Sequence, residues 1–118
     1  MWSPRKILVV DDKVEICGVL GQFLTGQGYT VVTATSGEEA LLQLGYERPD
    51  IVLLDVQMPD MSGLEVLREI RALGNAMRVV MITGLWDEGV REEALRGGAD
   101  AYLTKPFRLR ELEAHLCM

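Results

Sequence analysis

Five polar residues of this chain share one kind of address. Asp11 and Asp12 follow the apolar run Ile7 to Val10, Asp55 follows Ile51 to Leu54, Thr83 follows Val79 to Ile82, and Lys105 comes just past Ala101 to Leu103. Carboxylates, a hydroxyl and an ammonium are the tools for holding a hard cation and handling a phosphoryl group. Three carboxylates brought to one point repel each other, and a single lysine cannot neutralise them, so either some are protonated or a cation is bound. Oxygen-only ligands with room left for water and phosphate suit Mg²⁺ better than an all-protein calcium cage, and the chain has no EF-hand loop. Taken singly, most of these residues have plain structural readings: Asp11-Asp12 as a helix N-cap, Thr83 as a turn hydroxyl, Lys105-Pro106 as a surface turn. Asp55 is harder to explain that way, because it ends a run that should be buried, and a buried acid needs a partner or a task.

Other chemistries are disfavoured by what the chain lacks. A Ser-His-Asp triad or a His-ligated zinc would have to use the one histidine, His115, which reads as a solvated residue on a terminal helix. Neither a phosphate-binding G-x-x-x-x-G-K-[ST] loop nor a G-x-G-x-x-G after the first strand is present. Cys17 and Cys117 lie at opposite ends without metal-ligand spacing and are expected to be reduced thiols. The 118 residues, 48% apolar and 25% charged, fit one globular domain. Twelve Lys and Arg against eighteen Asp and Glu give a net charge of −6, which disfavours direct binding to nucleic acid or anionic lipid. No apolar run approaches the roughly 20 residues of a membrane span. The segment Met1 to Lys6 has no signal-peptide pattern, so a cytoplasmic location is expected.

The elements that must position the polar residues follow from periodicity. Apolar or β-branched runs at Lys6–Val10, Tyr29–Ala34, Ile51–Leu54, Arg78–Ile82 and Ala101–Leu103 alternate with helical patterns. Runs that are apolar throughout predict a parallel sheet covered on both faces, an α/β fold of five βα units in three layers. Ile16, Val19, Leu20 and Phe23 form the expected buried stripe of the first helix, while Gly18 and Gly21 weaken it by about 1 kcal/mol each. Ser36-Gly37-Glu38-Glu39 and Ser62-Gly63-Leu64-Glu65 read as capping boxes. They open helices with Ala40, Leu41 and Leu44, and with Val66, Leu67 and Ile70, turned inward. Asp87 caps the fourth helix, Gly97-Gly98 ends it, and Phe107 to Leu116 forms the last with Leu109, Leu112 and Leu116 inward. The second strand ends in Ala34-Thr35-Ser36, without an acid, which places it at an edge and predicts the flavodoxin-like order 2-1-3-4-5, with the site at the carboxyl ends of the other strands.

The pattern resembles the receiver domain of two-component response regulators over essentially the whole chain. The resemblance is carried by Ile7-Leu8-Val9-Val10-Asp11-Asp12, by Asp55-Val56-Gln57-Met58-Pro59-Asp60-Met61-Ser62-Gly63, by Ile82-Thr83-Gly84, and by Gly98-Ala99-Asp100-Ala101-Tyr102-Leu103-Thr104-Lys105-Pro106-Phe107. It implies that Asp55 is the phosphoacceptor for a partner histidine kinase or phosphotransfer protein. It also implies that Asp11, Asp12, Asp55 and the backbone carbonyl of Gln57 hold Mg²⁺, and that Thr83 and Lys105 contact the phosphoryl oxygens. Thr83 and Tyr102 would form a switch that alters the face made by the fourth helix, fifth strand and fifth helix, where an output domain, a target protein or a second copy docks. The plain reading of Tyr102 is a half-buried aromatic on an edge strand. The resemblance further implies a cis Lys105-Pro106 peptide, and influence of Gln57 and Leu85 on phosphoryl lifetime. Packing is the favoured reading of Trp86, and Gly89 is expected to loosen the fourth helix.

Three functions compete at this point: a phosphoacceptor signalling domain, expected not to be an enzyme beyond catalysing its own phosphorylation and dephosphorylation, a phosphorylation-independent interaction module, and a small Mg²⁺-dependent phosphatase. The intact set Asp11, Asp12, Asp55, Thr83 and Lys105 argues against the second. The third needs a general acid two residues after its nucleophile, where this chain has Gln57. The chain is expected to be either a stand-alone regulator or the N-terminal domain of a longer protein.

Overall fold

Branched and aliphatic side chains on both faces of a strand force it into the middle of a sandwich, and the strands at residues 6–10, 51–55 and 78–83 do so here. The computed structural model describes residues 5–74, 77–84 and 86–116. Its elements alternate as β1 (Lys6–Val10), α1 (Val14–Gly26), β2 (Thr30–Ala34), α2 (Gly37–Glu47), β3 (Ile51–Asp55), α3 (Gly63–Ala72), β4 (Arg78–Thr83), α4 (Glu88–Arg96), β5 (Ala101–Thr104) and α5 (Leu109–Leu116). All four strand pairs are parallel and the order is β2-β1-β3-β4-β5, as expected. Within β1, Ile7 and Val9 face a core shared with α1 and α5, whereas Leu8 and Val10 face a core shared with α2, α3 and α4. Period-two alternation thus divides the chain into three layers. Among the described residues no helix is long and apolar enough to cross a membrane.

Several local expectations shift. Asp55 and Thr83 are the last residues of β3 and β4 rather than the residues after them, and Tyr29 lies outside β2. The buried stripe of α1 is Cys17, Leu20 and Leu24; Ile16 and Phe23 are half-buried, and Val19 is 58% exposed. At 100° per residue Val19 falls off the arc centred on those three, so it cannot share their face. The last helix starts at Leu109 rather than Phe107, and Leu109, its first residue, is exposed; Leu112 and Leu116 are buried as expected. Ser62 bonds the N–H of Leu64 at 3.1 Å, one position earlier than a capping box requires. Ser36 does accept from the N–H of Glu39 at 3.1 Å, and Glu39 in turn accepts from the N–H of Thr35 at 2.9 Å. Asp87 caps α4 through the N–H of Val90, and Gly98, at φ 104°, provides the left-handed stop after it. Cys117, Leu85 and the segment Met1 to Pro4 lie outside the described residues.

Candidate functional site

Parallel strands deliver their last residues to one edge, and register decides which of them meet. Val10 pairs with Leu54 across β1 and β3, so Asp11 and Asp55 stand one step further along adjacent strands. Asp55 pairs with Ile82, and Thr83 with Thr104, which brings Thr83 and the segment leading to Lys105 to the same edge. Asp11, Asp55 and Thr83 are buried, whereas Asp12 is exposed. One carboxylate oxygen from each of Asp11, Asp12 and Asp55 lies within 4.8 Å of the others. The Lys105–Pro106 peptide is cis, and the lysine reaches back over the cluster. Its Nζ donates to Asp11 Oδ2 at 2.6 Å and stands 3.6 Å from Asp55 Oδ2.

The other carboxylate oxygen of each buried aspartate has a local partner. Asp11 Oδ1 accepts from the N–H of Lys13 at 2.9 Å, which orders the start of α1, and Asp55 Oδ1 accepts from the N–H of Gln57 at 3.2 Å. Burial pushes the Asp55 carboxyl above its ordinary range; the Lys105 charge and the Gln57 hydrogen bond oppose this, while Asp11 and Asp12 reinforce it. Burial alone would lower the pKa of the Lys105 ammonium, but its bond to Asp11 and the charges of Asp55 and Asp11 outweigh that and hold it above the usual value. Three carboxylates facing one ammonium leave an excess of negative charge in a half-enclosed, all-oxygen cluster. A hard divalent cation fits such a cluster. Gly63 closes the floor: its N–H donates to the carbonyl of Val56 at 2.8 Å, and any Cβ there would collide with the backbone carbonyl of Asp55. The step from β3 into α3 therefore needs glycine.

Tyr102 is half-buried on β5, on the side of α4. Burial first, and then the charge of Asp87, holds its phenol above the usual pKa. Its ring meets Trp86 edge to face, with centroids 5.9 Å apart and planes at 76°. Trp86 nonetheless stays 56% exposed, so the expectation that it packs is met only in part.

All five residues singled out by type and spacing thus reach one edge. Two neighbours of the cluster carried no local signal. Cys17 is buried on α1 with its Sγ 3.4 Å from the backbone carbonyl of Asp11, and burial, followed by the Asp11 charge, raises its thiol pKa. Asp60 uses its carboxylate to bind α2, 22 and 23 residues earlier in the chain. Asp60 is placed by long-range pairing alone.

The comparisons with known proteins agree with this geometry. Residues 7–117 match the family described as the response regulator receiver domain. A relative described as "Probable transcriptional regulator ycf27" of Cyanophora paradoxa is 45% identical over 97% of this chain and 47% of its own length. The chain therefore spans about half the length of the curated relatives it matches. Among solved structures, a CheY-like response regulator receiver domain protein from Methanospirillum hungatei JF-1 superimposes with a TM-score of 0.93 at 34% identity, covering 97% of this chain and 91% of that one. A response regulator protein from Burkholderia pseudomallei, solved with a phosphorylated aspartic acid, a calcium ion and citrate, has a TM-score of 0.90 at 30% identity, covering 97% of this chain and 67% of that one.

Proposed function

The chain belongs to the receiver-domain family of two-component response regulators, and on that premise we propose that Asp55 is its phosphoacceptor. The observation that carries the reading is the cluster of Asp11, Asp12 and Asp55 within 4.8 Å, with the Lys105 ammonium 2.6 Å from Asp11 and 3.6 Å from Asp55. A carboxylate oxygen of Asp55 attacks the phosphorus of a phosphohistidine presented by a sensor kinase or phosphotransfer protein. The new O–P bond forms as the P–N bond breaks, and the departing imidazole takes a proton from solvent. Asp11, Asp12, Asp55 and the backbone carbonyl of Gln57 would hold Mg²⁺, which when bound supplies neutralisation of the carboxylates and of the phosphoryl oxygens. Lys105 and Thr83 bind the equatorial oxygens, and the buried setting of Asp55 leaves its carboxylate poorly solvated and available to attack.

The chain then catalyses only its own phosphorylation and dephosphorylation, in the cytoplasm, and its output is a change of surface. Thr83 ends β4 beside β5, the strand that carries Tyr102, so a pull on Thr83 reaches the face formed by α4, β5 and α5. That face serves an output domain, a target protein or a second copy of the chain. A protein donor also needs a docking surface beside Asp55. Val14, Val19 and Leu109 are exposed, and Ile16, Val19, Phe107 and Leu109 line a groove that runs up to Lys105.

Intact mass after incubation with a small-molecule phosphodonor tests the reading. One added phosphoryl group is expected, dependent on Mg²⁺ and absent in Asp55→Asn. Val19→Asp is expected to keep that adduct while losing most transfer from a phosphorylated histidine protein. An unmodified wild-type mass under all conditions would support the interaction-module reading instead.

A further inference from the structure

The loop between β3 and α3 carries Gln57 next to the carboxylate cluster, and most of it is poorly buried: Gln57, Pro59 and Asp60 are exposed, and Met58, Met61 and Ser62 half-buried. Its two ends are tied to the sheet. Val56 donates to the carbonyl of Ile82 at 3.1 Å, and Gly63 donates back to the carbonyl of Val56 at 2.8 Å. Across its middle, residues 58–61, the only hydrogen bonds to another element among the described residues are made by Asp60. Its Oδ1 accepts from the N–H of Gly37 at 3.0 Å and its Oδ2 from the N–H of Glu38 at 2.9 Å. Charge-assisted bonds of this kind, made to the positive end of a helix, are stronger than neutral ones. The two bonds hold the carboxyl of Asp60 below the usual carboxylate range.

The next residue tightens the same contact. Met61 lies flat on Gly37, so closely that a Cβ at that position would collide with its side chain. The first turn of α2 is fully accounted for. Ser36 takes the N–H of Glu39 through its hydroxyl and that of Ala40 through its carbonyl, and Asp60 takes the two that remain. The geometry gives α2 a cap of its own in Ser36 and gives the loop a second, separate anchor in Asp60.

We propose that Asp60 is a positioning residue of the phosphoacceptor site: by spanning the N–H groups of Gly37 and Glu38 it fixes the loop that bears Gln57 against α2, and so sets the affinity of the cluster for Mg²⁺. This rests on the reading above, in which the Gln57 carbonyl belongs to the cation site. Without the anchor, the middle of the loop is left with half-buried Met58 and Met61 contacts, and the Gln57 carbonyl must be ordered at the moment the cation binds. That ordering cost appears as weaker binding, in the way that loss of an outer support lowers metal affinity at other sites.

The test is a Mg²⁺ titration of the whole chain, followed by amide chemical shifts, on wild type and four variants. Asp60→Ala is expected to weaken Mg²⁺ binding about tenfold. Asp60→Asn, which keeps a single acceptor oxygen, should fall between it and wild type, and it serves as the comparison if the alanine variant folds poorly. Ser36→Ala removes a cap from the same helix without touching the loop, and Glu38→Gln removes a charge from the same place without touching the contact. Both should keep the wild-type dissociation constant. In the phosphodonor assay the Mg²⁺ concentration for half-maximal phosphorylation should rise in the Asp60 variants, while the rate at saturating Mg²⁺ stays the same. Wild-type Mg²⁺ affinity in Asp60→Ala and Asp60→Asn would overturn the proposal, as would equal weakening in Ser36→Ala or Glu38→Gln. Absence of Mg²⁺ shifts in wild type would overturn the phosphoacceptor reading itself.

Discussion

At the scale of single residues, the cluster shows how a site stores unfavourable electrostatics. Asp55 gains one N–H and part of one ammonium but loses most of its water, so its pKa rises. A carboxyl that binds its proton more tightly in the folded chain than in the unfolded one adds stability below the unfolded pKa, and that contribution is lost as pH rises through the folded pKa. Asp55→Asn keeps the shape and removes the charge. Without Mg²⁺ it should melt a few degrees above wild type at neutral pH, and the gap should close as pH falls toward the ordinary carboxyl value of 3.8. Thermal melts of both proteins across pH in a chelator check this. A gap that widens toward acid would mean that Lys105 overcompensates Asp55. Asp60 behaves oppositely, because its pKa is lowered and its anchoring contribution is present at neutral pH and lost in acid. The residue types at Asp11, Asp12, Asp55, Thr83 and Lys105 were readable because each follows an apolar run. Asp60 was not, because nothing near it in the chain shows that its carboxylate belongs to a helix more than twenty residues earlier.

At the scale of elements, the glycines separate into those that cost stability and those that make the site. Gly18 sits inside α1 with open space where a Cβ would go, so Gly18→Ala should stabilise the chain by about 1 kcal/mol through helix propensity and a less flexible unfolded state. Gly63→Ala should cost several times as much, because its methyl group would have to displace the backbone of Asp55. Urea midpoints for the two variants should move in opposite directions, and phosphorylation should suffer only in the second. The same contrast shows where reading periodicity reaches its limit. Ile16, Val19, Leu20 and Phe23 satisfy helical spacing as well as Cys17, Leu20 and Leu24 do, and nothing local says which arc faces the sheet. Packing against β1 and β2, in the core layer that holds Ile7 and Val9, chose the second and left Val19 on the surface.

At the scale of the whole molecule, the carboxylate cluster joins β1 to β3 at the centre of the sheet, so in the proposed reading metal binding and folding are one equilibrium. A ligand that binds only the folded chain stabilises it by about 2.7 kcal/mol at a hundredfold excess over its dissociation constant. Mg²⁺ at that excess should therefore raise the melting temperature by roughly 10 °C for a domain of this size. Chelation should reverse the shift and Asp12→Asn should abolish most of it, as differential scanning calorimetry can show. Asp12 is the informative substitution because its exposed carboxylate carries little of the core, so a lost shift would report the site rather than the fold.

Much about this protein was already determined by its sequence. Five apolar runs alternating with amphipathic segments leave few solutions besides a parallel sheet in three layers. The acids at the ends of the first and third runs, and their absence after the second, identify the edge strand and the order β2-β1-β3-β4-β5. These are properties of local pattern and connectivity, which a chain carries in one dimension. The tertiary structure alone decided which arc of α1 is buried, that Lys105 reaches Asp11 more closely than Asp55, and that Asp60 belongs to α2. Those outcomes depend on distances between residues up to 94 positions apart, and such distances exist only once the strands have paired.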